Sequence, residues 1–172
     1  MAKMTSAYAN KLIKQLEEEK AFWITQEEES QVYHVAMGEE PLIPEYDYLE
    51  VATQIARIDE KIYKIKHAIN LHNVTNAVMV DNERLTIDVI LVKMAQLNRR
   101  KITLDVMRKR LPKSRTDLNR FSSGNNRMIE YQYINYDLDL VKQEYERISE
   151  QIMKMQMALD MFNQTQEFEV EL

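Results

Sequence analysis

The sequence predicts an all-α protein, an elongated antiparallel four-helix bundle with coiled-coil-like packing. Three observations favour this class. Apolar residues recur every three or four positions over long stretches of the chain. Two glycines and three prolines in 172 residues are too few for the many tight turns of an all-β fold. Charged residues make up 30% and hydrophobic residues 45% of the chain, a balance that suits long amphipathic helices. We expect residues 1–172 to form a single domain.

The first two helices are expected over residues 5–36 and 46–73. The apolar stripe of the first helix also contains Glu19, Gln26 and Ser30, so we expect this helix to be less deeply buried, kinked or in contact with another subunit. The stripe of the second helix is almost entirely aliphatic. It consists of Tyr48, Val51 or Ala52, Ile55, Ile58, Ile62, Ile65, Ile69 and His72.

Two further helices are expected over residues 84–111 and 134–163. The third helix is predicted to end at Leu111, because Pro112 cannot continue it. The fourth helix has the strongest pattern in the chain, in which apolar residues follow one another at alternating intervals of four and three. These residues are Ile134, Leu138, Val141, Tyr145, Ile148, Ile152, Met155, Leu159 and Phe162.

The breaks between these helices contain most of the segments that favour extended structure. The breaks comprise residues 37–44, 73–83 and 112–133. Extended patterns occur over residues 77–80, 128–134 and 168–172. We expect some of these segments to pair in a very small β element at one end of the bundle. Beyond helices of similar length, no internal repeat is evident in the sequence.

The residue types exclude several classes of active site. The chain has no cysteine, which excludes a disulfide framework, a thiolate zinc site and a cysteine nucleophile. Two glycines cannot supply a glycine-rich phosphate-binding loop. None of the histidines, His34, His67 and His72, has the glutamate three residues before it that a di-iron bundle site requires. We therefore expect no enzyme, no cofactor and no bound metal.

Charge is distributed unevenly along the chain. Residues 1–50 carry four basic and eleven acidic side chains, whereas residues 99–127 carry ten basic and two acidic ones. One interpretation is that the basic block binds phosphates while the nearby rings of Phe121, Tyr131 and Tyr133 stack on bases. The other is that acidic helices pack beside a basic one within the fold. The candidate polyanion-binding residues are Arg99, Arg100, Arg108, Lys109, Arg110, Lys113 and Arg115.

Polar residues cluster near the breaks, where groups from several elements can converge. The candidate polar site consists of Asn73, Asn76, Asp81, Arg84, Arg120 and Arg127.

The same regions carry a series of short motifs. The motifs are Ile69-Asn70-x-x-Asn73-x-Thr75-Asn76, Asp81 followed by Arg84-Leu85-Thr86, Arg120-Phe-Ser122-Ser123, and Phe162-Asn163-x-Thr165. This series resembles the septicolysin-like family of small bacterial helical proteins, and the resemblance covers most of the chain. It implies an all-helical fold of uncharacterised function. The family name implies a membrane-active, cytolysin-type role as one alternative.

These observations favour a non-enzymatic structural or interaction protein that self-associates through long amphipathic helices. The alternatives are the membrane-active protein that the family name implies and a polyanion or nucleic-acid binder that uses the basic block. We expect a homo-oligomer, with another protein as a further possible partner. No secretory signal and no run of roughly 20 apolar residues is evident, so we expect a cytoplasmic location.

Overall fold

The computed structural model describes residues 1–116 and 130–172. This part of the chain contains four helices, α1 (Ser6–Ser30), α2 (Tyr48–Thr75), α3 (Ile87–Arg108) and α4 (Leu138–Thr165). It also contains strands of four residues each, which are β1 (Ala2–Thr5), β2 (Ala77–Val80), β3 (Glu83–Thr86), β4 (Lys113–Thr116), β5 (Glu130–Tyr133) and β6 (Glu167–Val170).

The prediction of an all-α fold is wrong, because these strands form three two-stranded antiparallel ribbons beside the helices. β1 pairs with β6, β2 with β3, and β4 with β5. The expected single β element at one end of a bundle is therefore also wrong. Two ribbons lie where α1 and α3 begin, and the β4–β5 ribbon connects α3 to α4 at their other ends. The fold is mostly helical, with β structure at both ends of the helices.

The shortness of the strands explains this error. β2, β5 and β6 coincide with segments that favour extended structure in the sequence, but their partners β1, β3 and β4 do not stand out. A strand of four residues presents two side chains to each face, which is too few for a period of two to be recognised.

The β2–β3 ribbon closes through a tight two-residue turn. Asp81 and Asn82 both have positive φ angles, of 48° and 66°. A hairpin turn of type I′ needs this conformation at both central residues, and its twist matches that of the flanking strands. Asp and Asn tolerate the left-handed region better than other residues with a side chain, so the turn forms here without glycine.

Side-chain caps fix the starts of three helices. Asp47 before α2 and Asp137 before α4 each accept hydrogen bonds from the amides two and three residues further on. Thr5 Oγ1 accepts a hydrogen bond from the Tyr8 amide at the start of α1 (3.2 Å). These bonds satisfy N–H groups of the first turn that have no partner within the helix.

Replacement of either aspartate cap by alanine is expected to lower the free energy of unfolding by about 1 kcal/mol, because two first-turn amides lose their acceptor. Urea unfolding of Asp47→Ala and Asp137→Ala measures this change. Asp139→Ala is the matched control, since its side chain forms a surface ion pair with Lys142 and should change stability by less than about 0.5 kcal/mol. Equal losses in all three variants would contradict the capping role.

The helices pack as two antiparallel pairs with separate cores. α1 packs along α2, and α3 packs along α4. One core lies in the α1–α2 pair, and two lie in the α3–α4 pair. The most deeply buried large side chains are Ile65, Ile87, Ile90, Leu104, Ile148 and Met155.

The described chain contains the same arrangement twice, as strand, helix, helix and strand. The first copy consists of β1, α1, α2 and β2, and the second of β3, α3, α4 and β6. α2 and α4 are both 28 residues long, and corresponding residues differ by 90 in number, from Tyr48 and Leu138 to Thr75 and Thr165. The repeat therefore relates each side chain of α2 to a counterpart on α4.

The last strand of each copy packs against the helices of the other copy. β2 follows α2 but contacts α4, whereas β6 follows α4 but contacts α2. Val80 of β2 accordingly lies in a core of the α3–α4 pair, and Val170 of β6 lies in the core of the α1–α2 pair. This exchange of strands joins the two helical pairs.

Candidate functional site

The residues of the candidate polar site lie in different places. Asn73 belongs to the last turn of α2, and Asn76 follows directly as its C-cap. Asp81 lies in the turn of the β2–β3 ribbon, where it forms an ion pair with Lys154 of α4 (3.0 Å). Arg84 is exposed on β3. Arg120 and Arg127 lie outside the described residues. The structure therefore places Asn73 and Asn76 together and directs Asp81 towards the middle of α4.

The ends of α2, α4 and β6 meet at an aromatic contact that we call the junction, formed by His72, Asn76, Phe162 and Phe168. The His72 side chain is buried, with 8% of the residue exposed. Its ring stacks on Phe162 with 4.8 Å between ring centroids and packs against Phe168 at 4.9 Å. His72 and Phe162 are also counterparts in the repeat, so the two halves touch through equivalent positions.

One nitrogen of the His72 ring has a partner and the other has none among the described residues. Asn76 Nδ2 donates to His72 Nδ1 (3.0 Å) and to the His72 carbonyl oxygen (2.9 Å). Nδ1 therefore accepts, and the proton of the neutral ring is on Nε2, which has no partner in the described ranges. Burial lowers the pKa of His72 and favours the neutral ring.

Further buried polar atoms lie close to the helix ends. They are Ser6 Oγ at the start of α1, Asn73 Oδ1 in the last turn of α2 and Asp88 Oδ1 at the start of α3, and none has a partner among the described residues. Within the same ranges there is no group of three or more His, Asp or Glu side chains that could hold a metal ion. The end of the helices that carries the β1–β6 and β2–β3 ribbons thus combines buried polar atoms with aromatic packing, and no metal-binding cluster occurs there among the described residues.

In the sequence, His72 belongs to the apolar stripe of the second helix and is not among the residues of the candidate polar site. A histidine within an otherwise aliphatic stripe was the available signal, because a buried imidazole needs hydrogen-bond partners that isoleucine does not. The neighbouring Asn73 and Asn76 supplied a second signal.

The basic candidates separate into groups with different surroundings. Arg108 and Lys109 both form ion pairs with Asp105, and the Arg108 guanidinium lies 3.9 Å from the centre of the Tyr145 ring. Hydrogen bonds from Lys109 and Arg108 lower the pKa of Asp105. Because Arg108 and Lys109 share the single carboxylate of Asp105, the three side chains keep a net charge of only +1, which makes Arg108 and Lys109 weaker candidates for binding an anion than unpaired basic residues.

The other basic candidates lie at two places. Lys113 and Arg115 lie on β4, and the Lys113 ammonium lies 4.2 Å from the centre of the Tyr131 ring. Arg99 and Arg100 lie in the middle of α3, and Arg110 lies just beyond its end. Arg99, Arg100 and Arg110 form no ion pair with any residue in the described ranges.

α3 has a second apolar stripe that is directed away from its own core. It consists of Val92, Ala95, Arg99, Ile102 and Val106, spaced at alternating intervals of three and four, and we call it the outer face of α3. Ile102 is 68% exposed and Val92 57%. A groove of about 480 Å³ runs along the first part of this face.

The fold also occurs in a solved structure. A crystal structure described as that of a functionally unknown conserved protein from Corynebacterium diphtheriae is similar to this chain, with a TM-score of 0.65 and 14% sequence identity. The match covers 98% of this chain and 100% of the other one. At this identity the likeness shows the fold alone. No protein-family model and no curated protein matches the chain.

None of the helices in the described ranges is both long and apolar enough to cross a bilayer.

Proposed function

We propose that the protein is a non-enzymatic assembly protein whose basic unit is a dimer formed through the outer face of α3. The observation that carries this proposal is that α3 has two apolar sides. Ile90, Met94 and Leu104 on the inner side are buried in the cores of the α3–α4 pair. Covering the outer face would bury further apolar surface, which stabilises an association by roughly 25 cal/mol per Å².

The complementary surface that we propose is α1 of a second copy. Arg99 lies in the middle of the outer face, so two α3 helices packed against each other would bring like charges together. α1 instead presents Phe22, which is 63% exposed, on the same outward side as Glu18 and Glu29. This arrangement offers an apolar ring to Ile102 and carboxylates to Arg99.

The charge distribution along the chain agrees with this pairing. The acidic block, residues 1–50, contains α1, and the basic block, residues 99–127, contains the second half of α3. A two-fold axis would repeat the contact, with α1 of each copy on α3 of the other, and would close the assembly as a dimer.

Light scattering after size-exclusion chromatography tests the proposal. The expected mass is about twice the chain mass of 20.5 kDa. Ile102→Glu places a carboxylate in the centre of the apolar contact and is expected to raise the dimer dissociation constant on the order of 100-fold. Tyr63→Glu, at an exposed position on α2, is the matched control and should leave the dimer intact.

Charge reversal tests the pairing itself. Arg99→Glu and Glu18→Arg are each expected to weaken the dimer, and their combination should restore part of the affinity. A monomeric wild-type protein at concentrations up to ~100 μM would contradict the dimer. If Ile102→Glu is still a dimer, the outer face of α3 is not the dimer interface. If Phe22→Glu on α1 is still a dimer, α1 is not the helix that covers this face.

The family and the compartment are further parts of this proposal. We infer membership of the septicolysin-like family from the motifs around Asn73 and Phe162. We also infer a cytoplasmic location, with which a chain that has no cysteine is compatible.

A further inference from the structure

The β4–β5 ribbon carries aromatic and basic side chains on one of its faces. Lys113 lies opposite Tyr133, and Arg115 lies opposite Tyr131. Side chains alternate between the two faces of a strand, so these four residues share one face, which we call the tyrosine face. Glu130, the acidic residue of the described ribbon, lies on the other face. The tyrosine face therefore combines two aromatic rings with basic side chains of the ribbon.

Both rings of the tyrosine face are open to solvent. Tyr131 is 50% and Tyr133 63% exposed. The Lys113 ammonium lies 4.2 Å from the centre of the Tyr131 ring and 5.4 Å from that of Tyr133. This cation–π contact holds a positive charge beside both rings. A molecule that stacks on Tyr133 would thus have an ammonium group next to it.

We propose that the tyrosine face binds single-stranded nucleic acid, with bases stacked on Tyr131 and Tyr133 and backbone phosphates paired with Lys113. Exposed aromatic side chains next to cationic groups are the feature by which single strands are bound without sequence preference. A double helix keeps its bases stacked on one another and cannot offer them to the rings.

The size of the ribbon sets the length of the site. Four residues of a strand extend about 13 Å, which is room for about two nucleotides, one for each tyrosine. Arg110 lines a pocket with Ser114 and Gln132, which belong to the other face of the ribbon, and it is therefore not part of this site. Heparin, an anionic vesicle or a phosphopeptide could use the charges but has no need for two stacked rings.

Fluorescence anisotropy of a dye-labelled oligothymidylate of about 12 nucleotides, titrated with the full chain in ~50 mM salt, tests the proposal. Tyr133→Ala is expected to weaken binding on the order of 10-fold, because one base loses its stacking partner. Tyr133→Phe keeps the ring and should bind like the wild type, whereas Tyr133→Leu should bind like Tyr133→Ala. Tyr63→Ala, an exposed tyrosine on α2, is the control and should change nothing.

The salt dependence separates the phosphate contacts from the stacking. A plot of log affinity against log salt concentration has a negative slope. Lys113→Ala should make this slope less steep by about 0.7, the value for one lost phosphate contact on a single strand. Tyr133→Ala should leave this slope unchanged. Circular dichroism should show the same helix content in every variant.

Several results would overturn the proposal. They are absence of binding by the wild type at ~100 μM protein in low salt, equal affinity of Tyr133→Leu and Tyr133→Phe, and equal losses in Tyr133→Ala and Tyr63→Ala. Tighter binding to heparin, to phosphatidylserine vesicles or to a phosphoserine peptide than to the oligonucleotide would also overturn it and would identify the competing class of ligand.

Discussion

Replacement of Ile65 by alanine is expected to lower the free energy of unfolding by about 2–5 kcal/mol. Ile65 is 0% exposed and lies in the core of the α1–α2 pair with Met4 of β1 and Val170 of β6. A cavity at this position removes contacts of the helical pair and also of the strand exchanged from the other half. For a chain of this length, the midpoint of thermal unfolding is expected to fall by about 5–15 °C.

The same substitution at an exposed isoleucine provides the control. Ile43 lies in the connection between α1 and α2 and is 63% exposed, so Ile43→Ala should change stability by less than about 0.5 kcal/mol. Met155 is the counterpart of Ile65 in the repeat and is 2% exposed, so Met155→Ala should cost about 2–5 kcal/mol as well. A large loss in Ile65→Ala with none in Met155→Ala would contradict the equivalence of the two halves.

The helices could be predicted because each has an apolar stripe long enough to define its period. Their ends could not, because the choice between a first helical turn and a strand depends on a partner far away in the sequence. Met4 and Leu85 are buried in strands directly before α1 and α3, and Leu85 lies within residues 84–111, where the sequence predicts a helix. The strands β6 and β2 that pair with them decide the outcome.

The internal repeat is concealed because corresponding residues share burial rather than identity. Ile65 corresponds to Met155, and His72 corresponds to Phe162; all four are buried. The interval between counterparts also changes along the chain. It is 81 between the caps Thr5 and Thr86 of α1 and α3, and 90 between the later helices, because the second half has the longer connection.

The candidate sites were predictable as residue types but not as arrangements. The block from Arg99 to Arg115 is basic in the sequence, and the structure shows that two of its members, Arg108 and Lys109, share Asp105 as an ion-pair partner. Because side chains alternate between the faces of a strand, Lys113 and Arg115 lie on one face of β4 and Ser114 lies on the other. Pairing with β5 places Tyr131 and Tyr133 on the same face as the two basic residues. This pairing of β4 with β5 brings together basic residues and tyrosines that lie 16 to 20 positions apart in the sequence, and no periodicity in the sequence predicts it.

At acidic pH we expect the protein to lose stability through His72. Burial lowers the pKa of His72 in the folded chain below its ordinary value of 6.5. As the pH falls through 6.5, the unfolded chain therefore takes up a proton that the folded chain does not. The stability contributed by the neutral ring is complete above that pH and decreases below it, by at most about 1.4 kcal/mol per pH unit. Urea unfolding at pH 8, 6.5 and 5 would be expected to show this decrease.

The repeat supplies the variant that tests this expectation. Phenylalanine occupies the equivalent position in the second half, so His72→Phe should fit between Phe162 and Phe168 without a cavity. Asn76 Nδ2 keeps the residue-72 carbonyl as its acceptor, and the buried Nε2–H without a partner among the described residues is removed. We expect His72→Phe to be more stable than the wild type at pH 5 and to lose the His72 part of the pH dependence. His34 and His67 are exposed and remain in both proteins, so they cancel in the comparison. An unchanged pH dependence in His72→Phe would show that the ring at the junction does not set the acid sensitivity of the fold.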